Sequence, residues 1–427
     1  MPRIIDLFAG LGGIRLGFKQ AMDDLGLETE CVFSSEIKSY AIKAYKGFYG
    51  DETIFGDITK VDVADIPDFD FLLAGFPCQP FSSAGNRKGF KDTRGTMFFE
   101  IERILDGKIN RGHPAKGFLL ENVEGLINHD GGDTLRIIIE HLEALGYQVN
   151  YKLLDSQFFG LPQSRKRVYI VGTLTEKISL DNFNEAHATL EDVLEHGLPT
   201  VQSEFTNKLF QNYTPEEVVG KAIKDKRGGS DNIHSWDIDL KGPTSHNERQ
   251  LLTMLLKERR KKHWAEEIGI AWMDGMPLTE EQIRTFYNNP NLTAMRQDLT
   301  NKGYLTYEHP KKLVDVDGVK QRVPDKSLPK GYNIVAGKLS FEFSKILDPR
   351  ELAPTLVAMD VSKLGVVDGN GIRRLSIREC QRLCGYPDDY NLADISEKDA
   401  FDLLGNTVCV PVIKAISTRL GEYYQNF

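Results

Sequence analysis

The stretch "RIIDLFAGLGGIRLGF", Arg3 to Phe18, decides the fold class. A short apolar run is followed directly by Gly10, Gly12 and Gly13, and then by an amphipathic segment from Ile14 to Leu25. That order is a strand, a tight turn and a helix. The alternation continues along the chain. "CVFSSE", "ETIFGD", "FDFLLAGF", "GFLLENV", "VNYKLLD" and "KRVYIVGTL" have the character of strands, while "MFFEIERIL" and "TLRIIIEHLEALG" have helical spacing. Strands alternating with helices predict an α/β domain, a parallel sheet covered by helices on both faces. Ligands of such sheets bind beyond the carboxyl ends of the strands.

The chain has 427 residues, 41% hydrophobic and 27% charged, room for one large domain and a smaller one. Its net charge of -9 argues against a blanket affinity for nucleic acid but not against a local basic face. The five cysteines, Cys31, Cys78, Cys380, Cys384 and Cys409, are few and scattered, which predicts neither a disulfide framework nor a metal site. No signal-peptide layout opens the chain and no apolar run is long enough to span a bilayer, so a reducing cytoplasm is expected. From about residue 186 to 350 strand periodicity fades and charge rises, as in "LKERRKKHWAEE" and "HPKKLVDVDGVKQRVPDKSLPKG", which predicts a second, loop-rich domain. Apolar order returns in "LAPTLVAMD", "RRLSIRECQRLCGYP" and "LLGNTVCVPVIKAISTRL".

Two readings of the glycine turn stand: a bare connection, or a ligand cradle. Arg15 occupies the place of the third glycine of a dinucleotide fingerprint, and there is no phosphate-loop lysine, so a nucleoside without phosphates fits better. Glu36, ending the second strand, is placed to accept from ribose hydroxyls, and Asp57, ending the third, to bond an adenine amino group.

"GFPCQPFSSAG", Gly75 to Gly85, sets Cys78 between Pro77 and Pro80 at the end of a strand. A free thiol is only a few per cent thiolate at neutral pH, and an attacking cysteine needs access and a cationic or helix-terminal setting. The proline-stiffened turn and the polar tail "SSAGNRKGFKDTRG", read as a lid, favour a nucleophile over a packing cysteine. Glu121 ends the apolar strand in "LLENVEGL", where partial burial raises a carboxyl pKa and suits it to donate or share a proton; a helix-capping or loop acid is the other reading. Arg165 and Arg167 in "QSRKRVYIVG" alternate along a strand and so share one side; one pocket or a solvated basic cluster are the two readings.

Taken together and in order, "DLFAGLGGIRLGF", "GFPCQPFSSAG", "GFKDTRGTMFFEI", "LLENVEGL", "GLPQSRKRVYIVG", "LAPTLVA", "IRRLSIRECQRLCGYPDDY" and "GNTVCVP" resemble the DNA (cytosine-5) methyltransferases of bacterial restriction-modification systems. The resemblance covers most of the chain outside about 186 to 335. It implies a Rossmann-like S-adenosylmethionine-dependent methyltransferase sheet over 1–185, a target-recognition domain and hinge over 186–375, and a segment over 376–427 that completes the catalytic domain. It implies Cys78 as nucleophile, Glu121 as the group that holds the amino group of cytosine and protonates ring nitrogen 3, Arg165 on the carbonyl oxygen at position 2, and Arg167 in support. It assigns the cofactor to Phe8, Gly10, Leu11, Gly12, Glu36, Ile37, Asp57, Ile58, Pro77, Asn406 and Thr407, the last standing where serine is common. DNA contacts fall to Gln79, Ser82, Ala84 and Arg94, with Ala84 where relatives carry serine; base contacts are expected in "GKLSFEFSKILDPRELAPTLVA" and phosphate contacts in "KERRKKHW" and "HPKK". The implied partners are double-stranded DNA and a cognate restriction endonuclease without a stable complex, the enzyme acting as a monomer. An RNA cytosine methyltransferase, a nicotinamide-dependent oxidoreductase and a silent DNA-binding protein are the competing readings.

Overall fold

A computed structural model describes residues 1–77, 97–226, 228–229, 231–316, 319–335 and 341–427, with no side-chain description over 316–320. Cys78, Gln79, Ser82, Ala84 and Arg94 lie outside the described residues. The chain forms two compact units. The first comprises Met1–Glu195, Pro349–Ser362 and Leu375–Phe427; the second comprises His196–Asp348 and Lys363–Arg374.

The first unit is built on β1 (Arg3–Leu7), α1 (Gly13–Asp24), β2 (Glu30–Ser35), α2 (Ser39–Tyr49), β3 (Ile54–Phe55), β4 (Phe71–Gly75), α3 (Met97–Asn110), β5 (Gly117–Val123), α4 (Asp133–Ala144), β6 (Gln148–Asp155) and β7 (Lys166–Thr173). The seven strands form one sheet in the order β3-β2-β1-β4-β5-β7-β6. The reversal of strand order between β1 and β4 opens a crevice at their carboxyl ends. The two faces separate with the period of two that a strand imposes. Leu72, Ala74, Phe118, Leu120, Val168 and Ile170 pack with Phe98, Ile101 and Leu105 of α3 and Leu135, Ile138 and Leu142 of α4. Phe71, Leu73, Leu119, Tyr169 and Val171 pack on the opposite face with Ile14, Phe18 and Met22 of α1 and with Ile413, Ile416 and Leu420 of the terminal helix Val410–Asn426. That helix lies close because α1 and it carry glycines at the contact. A Cβ on Gly17 would stand 2.7 Å from Ile413 Cβ, and one on Gly421 2.4 Å from Leu25 Cδ1.

The sheet departs from the parallel expectation at one strand: β7 runs antiparallel to both β5 and β6. Only residues 156–165 join β6 to β7. A parallel return needs a crossover of about a dozen residues or more, so the short link turns back on itself. Residues 186–195 and 349–362 join this unit through backbone bonds such as Gly160 N–H to Ala186 O (2.8 Å) and Ala353 N–H to Pro162 O (2.8 Å).

The second unit carries more helix than its fading strand periodicity conveys. Helices Glu204–Asn212, His246–Glu258 and Leu292–Asn301 stand among its loops. A five-stranded sheet takes the order Gly371–Arg374, Leu364–Asp368, Lys345–Ile346, Ala222–Ile223, Asn232–Ile233. One core gathers Leu251, Leu252, Leu255, Trp264 and Leu299; another gathers Phe205, Leu209, Phe343, Ile346 and Ile372.

Candidate active site

At the carboxyl ends of β1, β2, β4 and β5 lies a cleft of about 760 Å³. Phe8, Gly10, Leu11, Glu36, Ile37, Asp57, Ile58, Pro77, Glu121, Arg165, Arg167, Asn406 and Thr407 all line it. Of the described site residues only Gly12 stands apart. Its φ is 69°, and a Cβ there would stand 2.5 Å from the Tyr49 ring and 2.8 Å from the Tyr45 ring, so it is a packing glycine.

The turn after β1 is held in a left-handed conformation at Phe8 (φ 55°) and Gly10 (φ 54°). Phe8 is the notable case, because a side chain disfavours that region. Glu36 fixes the turn from β2. Its carboxylate accepts from the N–H groups of Gly10 (2.8 Å), Ile37 (2.8 Å) and Lys38 (2.9 Å). The Gly12 N–H donates to Ala9 O at 2.6 Å. The N–H groups of Gly10 and Gly12 are therefore engaged, and a pyrophosphate would find neither free. Asp57 caps the short turn after β3, accepting from Thr59 N–H (3.1 Å) and Thr59 Oγ1 (2.7 Å). Those hydrogen bonds hold its carboxyl below the usual range.

Sequence reasoning missed three tyrosines here, two that strap the same turn and one that holds Thr407. Tyr49 donates to Gly12 O and Tyr390 to Leu11 O, both at 2.7 Å, while the Tyr386 hydroxyl meets Thr407 Oγ1 at 2.5 Å. Below the turn, Asp6 is buried and bonded by Tyr45. Burial pushes its carboxyl up to about 7, against the opposing pull of Arg15.

At the other end of the cleft, Glu121 sits near the end of β5, beside Gly75 of β4. It is buried, and Arg167 Nε lies 3.0 Å from its Oε1. Burial raises the Glu121 pKa, with Arg167 and Arg165 opposing. Burial also lowers that of Arg167, aided by the neighbouring Arg165 charge. Asn122, also missed, donates to Phe76 O at 3.0 Å and so fixes the chain just before Pro77.

Arg165 and Arg167 reach one cleft, but their surroundings differ. Arg165 is buried, and its Nη1 donates to Leu356 O (2.8 Å) and its Nη2 to Thr407 O (2.5 Å) and Gly405 O (3.2 Å). Only Nε is left without a partner among the described residues. The guanidinium thus ties two remote segments to β7. Cys380, Cys384 and Cys409 are buried, and burial pushes their thiols up, Cys409 to about 12; they are packing residues.

Comparison with known proteins accords with this geometry. Residues 2–422 match the family of C-5 cytosine-specific DNA methylases, and the chain belongs to that family. It is a DNA (cytosine-5-)-methyltransferase. It is 56% identical to Type II methyltransferase M.NlaIV of Neisseria lactamica over 425 residues, 98% of each chain. It is 42% identical to Type II methyltransferase M.BanI of Aneurinibacillus aneurinilyticus over 453 residues, 99% of this chain and 96% of that one. The S. pombe Dnmt2 methyltransferase structure shares the fold, with a TM-score of 0.56 at 17% identity and full coverage of both chains.

Proposed function

We propose that this enzyme transfers a methyl group from S-adenosylmethionine to carbon 5 of a cytosine swung out of a short, specific site in double-stranded DNA, through a covalent adduct with Cys78. One observation carries the reading: a single cleft holds both the Glu36-braced turn and the buried Glu121–Arg167 pair.

The residues present fit the donor. Phosphate has no free glycine N–H groups at Gly10 and Gly12, which disfavours a dinucleotide, whereas Glu36 stands where ribose hydroxyls would find an acceptor. Phe8, Gly10, Leu11, Glu36, Ile37, Asp57, Ile58, Pro77, Asn406 and Thr407 would hold the nucleoside and the adjoining chain. When bound, S-adenosylmethionine supplies an electrophilic methyl on a sulfonium.

Carbon 5 of cytosine is a poor nucleophile while the ring is aromatic. Addition of the Cys78 thiolate to carbon 6 breaks the aromaticity, and a proton from Glu121 to ring nitrogen 3 prevents negative charge from building on the ring. The resulting enamine would attack the methyl through carbon 5, with the methyl–sulfonium bond breaking to leave S-adenosylhomocysteine. A base, water in this reading, then removes the carbon 5 proton, the nitrogen 3 proton returns to Glu121, and the bond from Cys78 sulfur to carbon 6 breaks to restore thiolate and aromatic ring. A raised Glu121 pKa suits a group that must carry a proton near neutrality. In this reading Arg167, paired with Glu121, orients that carboxyl and serves the base, whereas Arg165 secures the cleft wall. Reaching the base requires extrusion from the duplex at a cost of a few kcal/mol; Gln79, Ser82, Ala84 and Arg94 are assigned to that side.

The Type II names of the relatives support a role in a bacterial restriction-modification system. In this reading the enzyme acts in the cytoplasm as a monomer, beside an endonuclease that forms no stable complex with it. A duplex with 5-fluorocytosine at the target tests the mechanism, because fluorine cannot leave as a proton does. A species stable on a denaturing gel, absent with Cys78→Ser, is expected; no such species with the wild-type enzyme would overturn covalent catalysis.

A further inference from the structure

The basic stretches of the second unit divide unevenly between core and surface. In "KERRKKHW", Arg259 and Trp264 are buried, and Arg259 donates to Asn333 Oδ1 at 2.8 Å. Lys257 and Arg260 of the same stretch instead line a surface hollow of about 480 Å³ together with Trp272. The Trp272 indole is 38% exposed and donates its N–H to Arg260 O at 2.9 Å.

A second element reaches the same tryptophan. Strands Lys311–Val316 and Val319–Pro324 pair as an antiparallel two-stranded ribbon that joins no other sheet among the described residues. Such a ribbon has little stability of its own and no core to serve. Arg322 anchors it by donating to Trp272 O at 2.9 Å. Directly across the ribbon from Arg322 stands Leu313, a large apolar side chain left 44% exposed. Lys311 shares that face, two residues away. Between His309 and Gly331 six Lys and Arg stand against three Asp, in a chain whose net charge is -9.

We infer that the ribbon and the Trp272 hollow form one docking surface for duplex DNA, the ribbon entering the major groove and Lys257 contacting the phosphate backbone. The inference rests on the DNA methyltransferase reading and gives its target recognition a place outside the expected "GKLSFEFSKILDPRELAPTLVA" segment. The charge sign suits a polyanion. A two-stranded ribbon fits the major groove of B-form DNA, whereas the deep, narrow major groove of an RNA duplex does not admit side chains. The exposed Leu313 offers an apolar contact for a thymine methyl, and Lys311 on the same face a donor for a guanine edge, while Arg322 holds the ribbon in place.

The test uses the full-length enzyme with S-adenosylhomocysteine and a labelled duplex bearing the site that bisulfite sequencing reports for the wild-type enzyme. Lys257→Ala and Arg322→Ala are expected to weaken duplex binding about 5- to 10-fold, and Lys257→Ala to reduce the salt-dependence slope by about 1. Leu313→Ser is expected to keep affinity and relax the choice of site. Melting temperature and S-adenosylhomocysteine affinity should stay at wild-type values in all three. Affinities of both cationic variants within about twofold of wild type, with an unchanged slope, would overturn the surface. Equal competition by RNA duplex would overturn the groove assignment. Failure of the wild-type enzyme to methylate DNA would instead overturn the function on which the inference rests, and shows before any variant is made.

Discussion

Replacing Arg165 by lysine separates two roles that the pattern "QSRKR" leaves joined. The arginine is buried, with three hydrogen bonds to the main-chain carbonyls of Leu356, Gly405 and Thr407. An ammonium is a point charge without the planar fork, so at least one of those carbonyls loses its partner, and two lose theirs if the shorter reach favours one segment. Each buried acceptor left unsatisfied costs about 1–3 kcal/mol, giving a loss of about 1–6 kcal/mol against a total stability of about 5–15 kcal/mol. The loss falls on the wall that carries Asn406 and Thr407, so affinity for S-adenosylhomocysteine should fall in parallel. Urea unfolding of the cofactor-free chain, followed beside calorimetric titration, measures both. Arg167→Lys is the companion: the same titrations should change little, while methyl transfer slows. An Arg165→Lys protein that unfolds at the wild-type midpoint, binds S-adenosylhomocysteine normally and loses only turnover would refute the structural role and return its guanidinium to the base.

Three further outcomes are expected. Glu121→Gln should lower kcat about 10²- to 10⁴-fold and flatten the alkaline fall of the rate, because the proton that Glu121 carries is lost as pH rises through its raised pKa; a pH–rate profile unchanged by the substitution would count against it. Asp6 has a folded pKa of about 7, above its ordinary 3.8, so its protonated form stabilises the fold fully below the ordinary value and that contribution is lost as pH rises through about 7. Asp6→Asn should accordingly gain on wild type by about 4 kcal/mol between pH 3 and pH 8, whereas parallel urea-unfolding curves across that range would contradict the burial argument. Tyr386→Phe, which removes the bond to Thr407 Oγ1, should weaken S-adenosylhomocysteine about 5- to 10-fold with little change in kcat at saturation; calorimetry and initial rates check the split.

Much of the catalytic unit was legible because its signals are local. Apolar runs ending in glycine or an acid marked β1, β2, β4 and β5, and the burial of Glu121 followed from its place at the end of one of them. What escaped depends on residues distant in sequence. The direction of β7 is set by the length of a link, not by its own residues, whose alternation reads the same either way. Tyr390 meets the turn at Leu11 across more than half the chain, and no spacing announces that. The bonds of Arg165 could not be read either, because its acceptors are carbonyls of the main chain, which any residue supplies. The burial of Arg259 was within reach: it lies three and four residues beyond Leu256 and Leu255, on the apolar stripe of its helix.

In the proposed mechanism the Cys78 sulfur and the Glu121 carboxylic acid direct a methyl group from a sulfonium donor to a ring carbon. Digestion of plasmid from cells making the enzyme, followed by nucleoside mass spectrometry, measures that outcome most directly. 5-Methyldeoxycytidine that disappears with Cys78→Ser is the expected result; a methyl group on the exocyclic nitrogen, or 5-methyldeoxycytidine undiminished by that substitution, would contradict it.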